Sequence, residues 1–222
     1  MRSPRALRRA LATLCFALAA SPAVPAMAET VVPVARFSSI TVRSGARVVL
    51  RHGRAQSVTV LQGDTRCAGI SVDEGGRLVI DKYRGDCPRY ELEIDVVTPA
   101  IDEIMVMDGG TIETRGAFPS QAELAVAVGD GGTIDARSMT AGVVTAAVKS
   151  GGRIFTRPQD VLLANVTQGG IIRFWGDPRV KSSIQHGGSV RKGTAAEADL
   201  PLSEMGPTAP RVPDIPRSTW TR

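Results

Sequence analysis

Apolar residues recur along this chain in two periods. Between residues 31 and 98 they alternate with polar ones, as in Ser39-Ile40-Thr41-Val42-Arg43, Ser57-Val58-Thr59-Val60 and Glu91-Leu92-Glu93-Ile94-Asp95-Val96. Such alternation predicts half-buried β-strands, because successive side chains on a strand point to opposite faces. From residue 104 a longer period takes over. Five segments align on a Gly-Gly pair: Val106 to Ile112, Val128 to Ile134, Val148 to Ile154, Val166 to Ile172 and Ile184 to Val190. The second glycines stand at 110, 132, 152, 170 and 188, with a β-branched residue four before each and another two after it. A weaker copy, Val72 to Leu78, has Leu in the last column and marks where the repeat could begin.

A unit of roughly twenty residues cannot bury an apolar face alone, whereas units stacked at about 4.8 Å bring identical columns into contact. Ile112, Ile134, Ile154, Ile172 and Val190 would form one column and Val106, Val128, Val148, Val166 and Ile184 its neighbour. The glycines between them supply a corner at positive φ, which β-branched residues do not adopt. The expected architecture is all-β: a β-solenoid over residues 101–194, with the strands of 29–100 as an N-terminal cap on its otherwise open edge. An antiparallel meander with Gly-Gly hairpins is the other arrangement this turn chemistry permits. After Lys192 the period stops, and Pro201, Pro207, Pro210, Pro213 and Pro216 punctuate residues 195–222, which read as a mobile tail.

The amino end changes how the charge is read. Arg2, Arg5, Arg8 and Arg9 precede an apolar run from Ala10 to Ala20, and Ala26-Met27-Ala28 is a small-x-small cleavage pattern. Residues 1–28 therefore read as a signal peptide, and the mature chain as exported, periplasmic or at the cell surface or secreted. No later apolar stretch reaches the ~20 residues of a membrane span. Cleavage removes four arginines and no acids, so 23 basic and 22 acidic residues remain of the original 27 and 22. The basic pI belongs partly to the leader and gives no nucleic-acid footprint. Cys67 and Cys87 are left as an even pair in a disulfide-permissive compartment and are expected to bond.

Candidate chemistry is sparse. The residue before each glycine pair gives a column of Asp108, Asp130, Ser150, Gln168 and His186. Paired acids could serve a retaining glycosidase or bind calcium, but no third polar group converges and a solvated corner is the simpler expectation. His52 and His186 lie in no metal or triad spacing, and phosphate-loop, dinucleotide and Gly-x-Ser-x-Gly patterns are absent. No cofactor is expected. Three residues after each second glycine stand Glu113, Asp135, Phe155, Arg173 and Arg191, a stripe running from acidic to basic. Arg153, Arg173 and Arg191 are thus candidates for binding an anionic envelope surface or the acidic end of another copy.

The chain resembles the auto-transporter adhesin head domain, or GIN domain, family over about residues 35–192. The resemblance is carried by Phe37-Ser38-Ser39-Ile40, Val97-Thr98-Pro99-Ala100-Ile101, the glycine corners and Trp175-Gly176-Asp177-Pro178. It implies a single-stranded right-handed parallel β-helix lying outside the inner membrane, with an adhesive role and no catalytic residues. The corners here read Asp-Gly-Gly, Ser-Gly-Gly, Gln-Gly-Gly and His-Gly-Gly, where the family uses Gly-Ser-Gly. The functional expectation is a non-enzymatic, adhesin-like binding or structural module of the envelope, with a glycan, protein or other envelope component as partner and self-association possible. The alternative is a carbohydrate-active β-helix enzyme.

Overall fold

A computed structural model describes residues 29–82 and 91–205 of the chain. The strands of its first half are β1 (Thr30–Val32), β2 (Ser39–Val42), β3 (Arg47–His52), β4 (Ser57–Gln62), β5 (Ala68–Val72), β6 (Arg77–Lys82) and β7 (Glu93–Thr98). Those of the repeat region are β8 (Glu103–Asp108), β9 (Thr111–Arg115), β10 (Gln121–Asp130), β11 (Thr133–Ser150), β12 (Arg153–Gln168), β13 (Ile171–Phe174), β14 (Arg179–Ile184) and β15 (Ser189–Lys192). A single helical turn, α1 (Ala195–Ala198), and a 3-10 turn at Leu202–Glu204 follow.

All fifteen strands belong to one sheet, ordered β1-β4-β7-β3-β9-β11-β10-β8-β2-β6-β5, with β12 beside β11 and carrying β13 and β14. The long strands β11 and β12 bend from one wall of the sheet to the other, with register shifts between Ala136 and Val143. The sheet thereby curls round the apolar core as a nearly closed barrel of mixed strands. This corrects the expected single-stranded right-handed parallel β-helix. The finding that overturns it is the antiparallel pairing of β1 with β4, β4 with β7 and β5 with β6 within the same sheet as the parallel pairs.

The glycine period is nevertheless expressed as register. Ile112 pairs with Ile134, Ile134 with Ile154, Ile154 with Ile172 and Ile172 with Val190, all in parallel. The neighbouring column runs through Val106, Val128, Val148, Val166 and Ile184. Most of these side chains are buried and share one core with Val48, Leu50, Ile94 and Val96. Close approach explains the second glycine of each pair. At Gly170, φ is +103° and a Cβ would stand 2.5 Å from Val148 Cγ1 and 2.9 Å from the Gly152 carbonyl oxygen.

Residues 29–100 are more than a cap. Strand β2 pairs in parallel with β8, and β3 with β9, so both are wall strands. Their corner is Ser44-Gly45, at φ +61° and +79°, which turns without a glycine pair. Gly75-Gly76, by contrast, closes the antiparallel β5–β6 hairpin; the weak sixth copy is a hairpin turn and not a repeat unit. Cys67 is buried beside β5 and is not a free thiol. Cys87 lies outside the described residues, and no disulfide is seen among those described. Residues 1–28, which read as a signal peptide, and residues 206–222 likewise lie outside them.

Candidate functional site

The corner acids come together as the repeat predicts, but nothing joins them. Asp108 and Asp130 are register neighbours on β8 and β10, both exposed, with Ser150 next in line. The nearest cation is Lys149, 3.8 Å from Asp130. Among the described residues no cluster of three metal-ligating side chains exists. Two exposed carboxylates facing open water can splay apart, and they form neither a cleft nor a closed ion cage.

The acid-to-base stripe is also contiguous: Glu113, Asp135, Phe155, Arg173 and Arg191 are successive register partners. Its basic half, however, is covered. Residues 194–205 fold back over it as a strap, so the first part of the segment that reads as a mobile tail is packed against the wall. Thr194 caps α1 through a reciprocal capping box with Glu197, which fixes the carboxylate at the start of the turn. Glu197 then sits 3.0 Å from Arg173 and 3.1 Å from Arg191. Hydrogen bonding from Arg191 and from the Thr194 backbone N–H, with the nearby Arg173 charge, holds its carboxyl at about 2. Arg173 is 2% exposed, and burial beside Arg191 lowers its pKa from the usual guanidinium range.

The rest of the strap is clamped by arginine and apolar contacts. Arg137 holds Asp135 through two bonds, of 2.8 and 2.6 Å, and donates to the carbonyls of Glu197, Ala198 and Leu200 at the end of α1. Its guanidinium lies 5.9 Å from the Phe155 ring centre and 5.5 Å from that of Trp175. Arg153 donates to the Met205 carbonyl at 3.0 Å. Phe155, Trp175 and Met205 form a second buried cluster, with Ala198, Leu200 and Leu202 packed on it. Of the candidate binding arginines, therefore, Arg173 is enclosed, while Arg153 and Arg191 are engaged by the strap.

The open surface lies elsewhere, on the outward side of β8, β10, β11, β12 and β14. One row across the strands reads Glu103, Ala125, Thr145, Leu163, Lys181, and the next Met105, Ala127, Ala147, Asn165, Ser183. The alternate residues, such as Val126, Ala146 and Leu162, are buried behind them. Five strands at about 4.8 Å spacing make a face roughly 19 Å across. Its centre is small and uncharged, with acids on the β8 and β10 side and Arg179 and Lys181 on the β14 side. Three shallow hollows, of about 550, 260 and 440 Å³, mark this face. The sequence signal for it was present, because Ala125, Ala127, Ala147 and Leu163 stand where alternation calls for polar residues.

No family model matches the chain, and no curated protein matches it. Several solved structures do. A candidate adhesin from Bacteroides fragilis is 16% identical, covering 75% of this chain and 96% of that one at a TM-score of 0.48. A candidate lipid-binding protein from Parabacteroides distasonis is 17% identical over the same shares, with a TM-score of 0.34. A candidate cell adhesion protein from Clostridium sporogenes is 10% identical, covering 75% and 99%, with a TM-score of 0.37. Likeness at this level assigns neither family nor ligand. No helix among the described residues is long and apolar enough to cross a membrane.

Proposed function

We propose that the mature chain, exported after removal of residues 1–28, is a non-enzymatic, adhesin-like binding module of the cell envelope, of the GIN-like kind its motifs resemble. The single observation that supports this is the broad outer face built by β8, β10, β11, β12 and β14, with its small, uncharged centre. A binding module needs an extended surface that a polymer or partner protein can lie against, whereas an enzyme needs titratable groups converging in a cleft. The domain is residues 29–194, with the strap of 194–205 closed over Arg153, Arg173 and Arg191. These arginines anchor the strap, and Arg179 and Lys181 give the face one basic rim.

The test is retention of the mature chain on isolated envelope fractions. Replacing Ala127 and Ala147 by Arg puts two long charged side chains on the centre of the face while leaving the buried columns intact. Retention is expected to fall at least tenfold with melting unchanged. Equal retention by the variant, or release of reducing sugar from an envelope polysaccharide by the wild-type chain, would refute the proposal.

A further inference from the structure

Strand β14 is where the wall stops. Among the described residues it pairs with β12 alone, and each of its residues is exposed. The Gln185 N–H donates to the Val166 carbonyl. By alternation, residues 181 and 183 turn their backbone groups to β12, and Val180, Ser182 and Ile184 turn theirs to the free edge. The same three occupy inward columns: Val180 follows Leu162, and Ile184 follows Val166. Leu162 and Val166 are wholly buried, whereas Val180 is 41% and Ile184 46% exposed. Among the described residues this edge therefore leaves both unpaired hydrogen-bonding groups and a cut face of the core, a combination that invites another strand.

We propose that this strand is β14 of a second copy of the chain, paired antiparallel about a two-fold axis through Ser182. In that register Val180 lies opposite Ile184 of the second copy and the reverse, so the apolar column continues across the axis. Ser182 lies opposite itself, and the three outward-turned residues of each strand exchange about six backbone hydrogen bonds. Charge selects the same register. Lys181 falls opposite Ser183 and Arg179 opposite Gln185, so no like charges directly oppose each other. A shift of two residues one way sets Lys181 against Lys181, and two the other way separates Val180 from Ile184. A shift of one puts the apolar residues on the outer face. The sequence of β14 is self-complementary in one antiparallel register, the property an isologous interface requires. Pairing also joins the two outer faces into one surface of doubled length, presenting two copies of each binding row.

The test uses the mature chain. Sedimentation is expected to show a dimer that Ile184→Lys converts to monomer without changing melting, since Ile184 is half exposed. Ser182→Cys is expected to cross-link to itself under mild oxidation, because opposed residues of a hydrogen-bonded pair lie about 5.5 Å apart, within disulfide reach. Ser183→Cys, which faces Lys181, is expected not to. A wild-type chain that stays monomeric up to about 0.5 mM, beyond the range of a weak specific interface, would overturn the proposal. So would a dimer that survives Ile184→Lys, or one cross-linked as readily through Ser183→Cys.

Discussion

Replacing Glu197 by Gln probes how the strap is held. The substitution keeps the shape of the side chain and removes the charge that faces Arg173 at 3.0 Å and Arg191 at 3.1 Å. The wild-type carboxyl is held at about 2 against an ordinary 4.5, which corresponds to at most ~3.4 kcal/mol. The side chain is 20% exposed, so solvent screening reduces this to about 1–3 kcal/mol. Arg173, 2% exposed, would keep its charge in a buried site with its carboxylate gone. Lifting the strap lets water reach that guanidinium, and the expected response is therefore local opening before global unfolding. A loss of 1–3 kcal/mol raises the open population roughly 5- to 150-fold. Hydrogen exchange at the Glu197, Glu204 and Met205 amides should accelerate by that factor while the amides of β10–β12 stay protected. Trp175 emission should shift to the red in a Trp220→Phe background. Strap exchange within twofold of wild type would refute the assignment of Glu197 as its anchor.

Acidification should reproduce this opening. Because the folded pKa of Glu197 lies below its unfolded value, its contribution is fully present above about pH 4.5 and is lost as pH falls toward 2; Trp175 emission against pH should show the transition, and the Glu197→Gln variant should lack it. Gly170→Ala should cost about 2–4 kcal/mol in denaturant unfolding, since φ is +103° and the Cβ meets Val148 and Gly152. Gly151→Asn, at φ +66° with no atom within 4 Å, should cost under about 1 kcal/mol; equal losses at the two sites would discredit the stacked-corner account. Excess calcium should leave the melting temperature unchanged, and a rise of several degrees abolished by Asp130→Asn would reveal an ion site between Asp108 and Asp130.

The repeat region was legible because its columns are local. A β-branched residue at a fixed offset from each Gly-Gly pair can be counted in the sequence, and the structure sets those residues side by side because each second glycine lets the backbone below approach the one above. The strand pairing of the first half was not legible. Alternation in Ser57–Val60 marks a strand but carries no direction, and only the packed sheet made β4 antiparallel to β1 and β7. The same limit hid the difference between Gly75-Gly76, a hairpin turn, and the later glycine pairs, which are wall corners, since positive φ serves both.

The arginines show the divide most clearly. Sequence spacing by itself put Arg173 and Arg191 on one outward stripe, and they lie there. It also put Phe155 on that outward stripe, and an outward aromatic in a chain so poor in them was a sign that something covers it. What covers it, the strap with Glu197 between two guanidiniums, was decided by tertiary structure alone. Residues 194–205 have no period of their own, and their order comes from burying Met205 on Phe155 and Trp175 and from neutralising charges that lie far away in sequence.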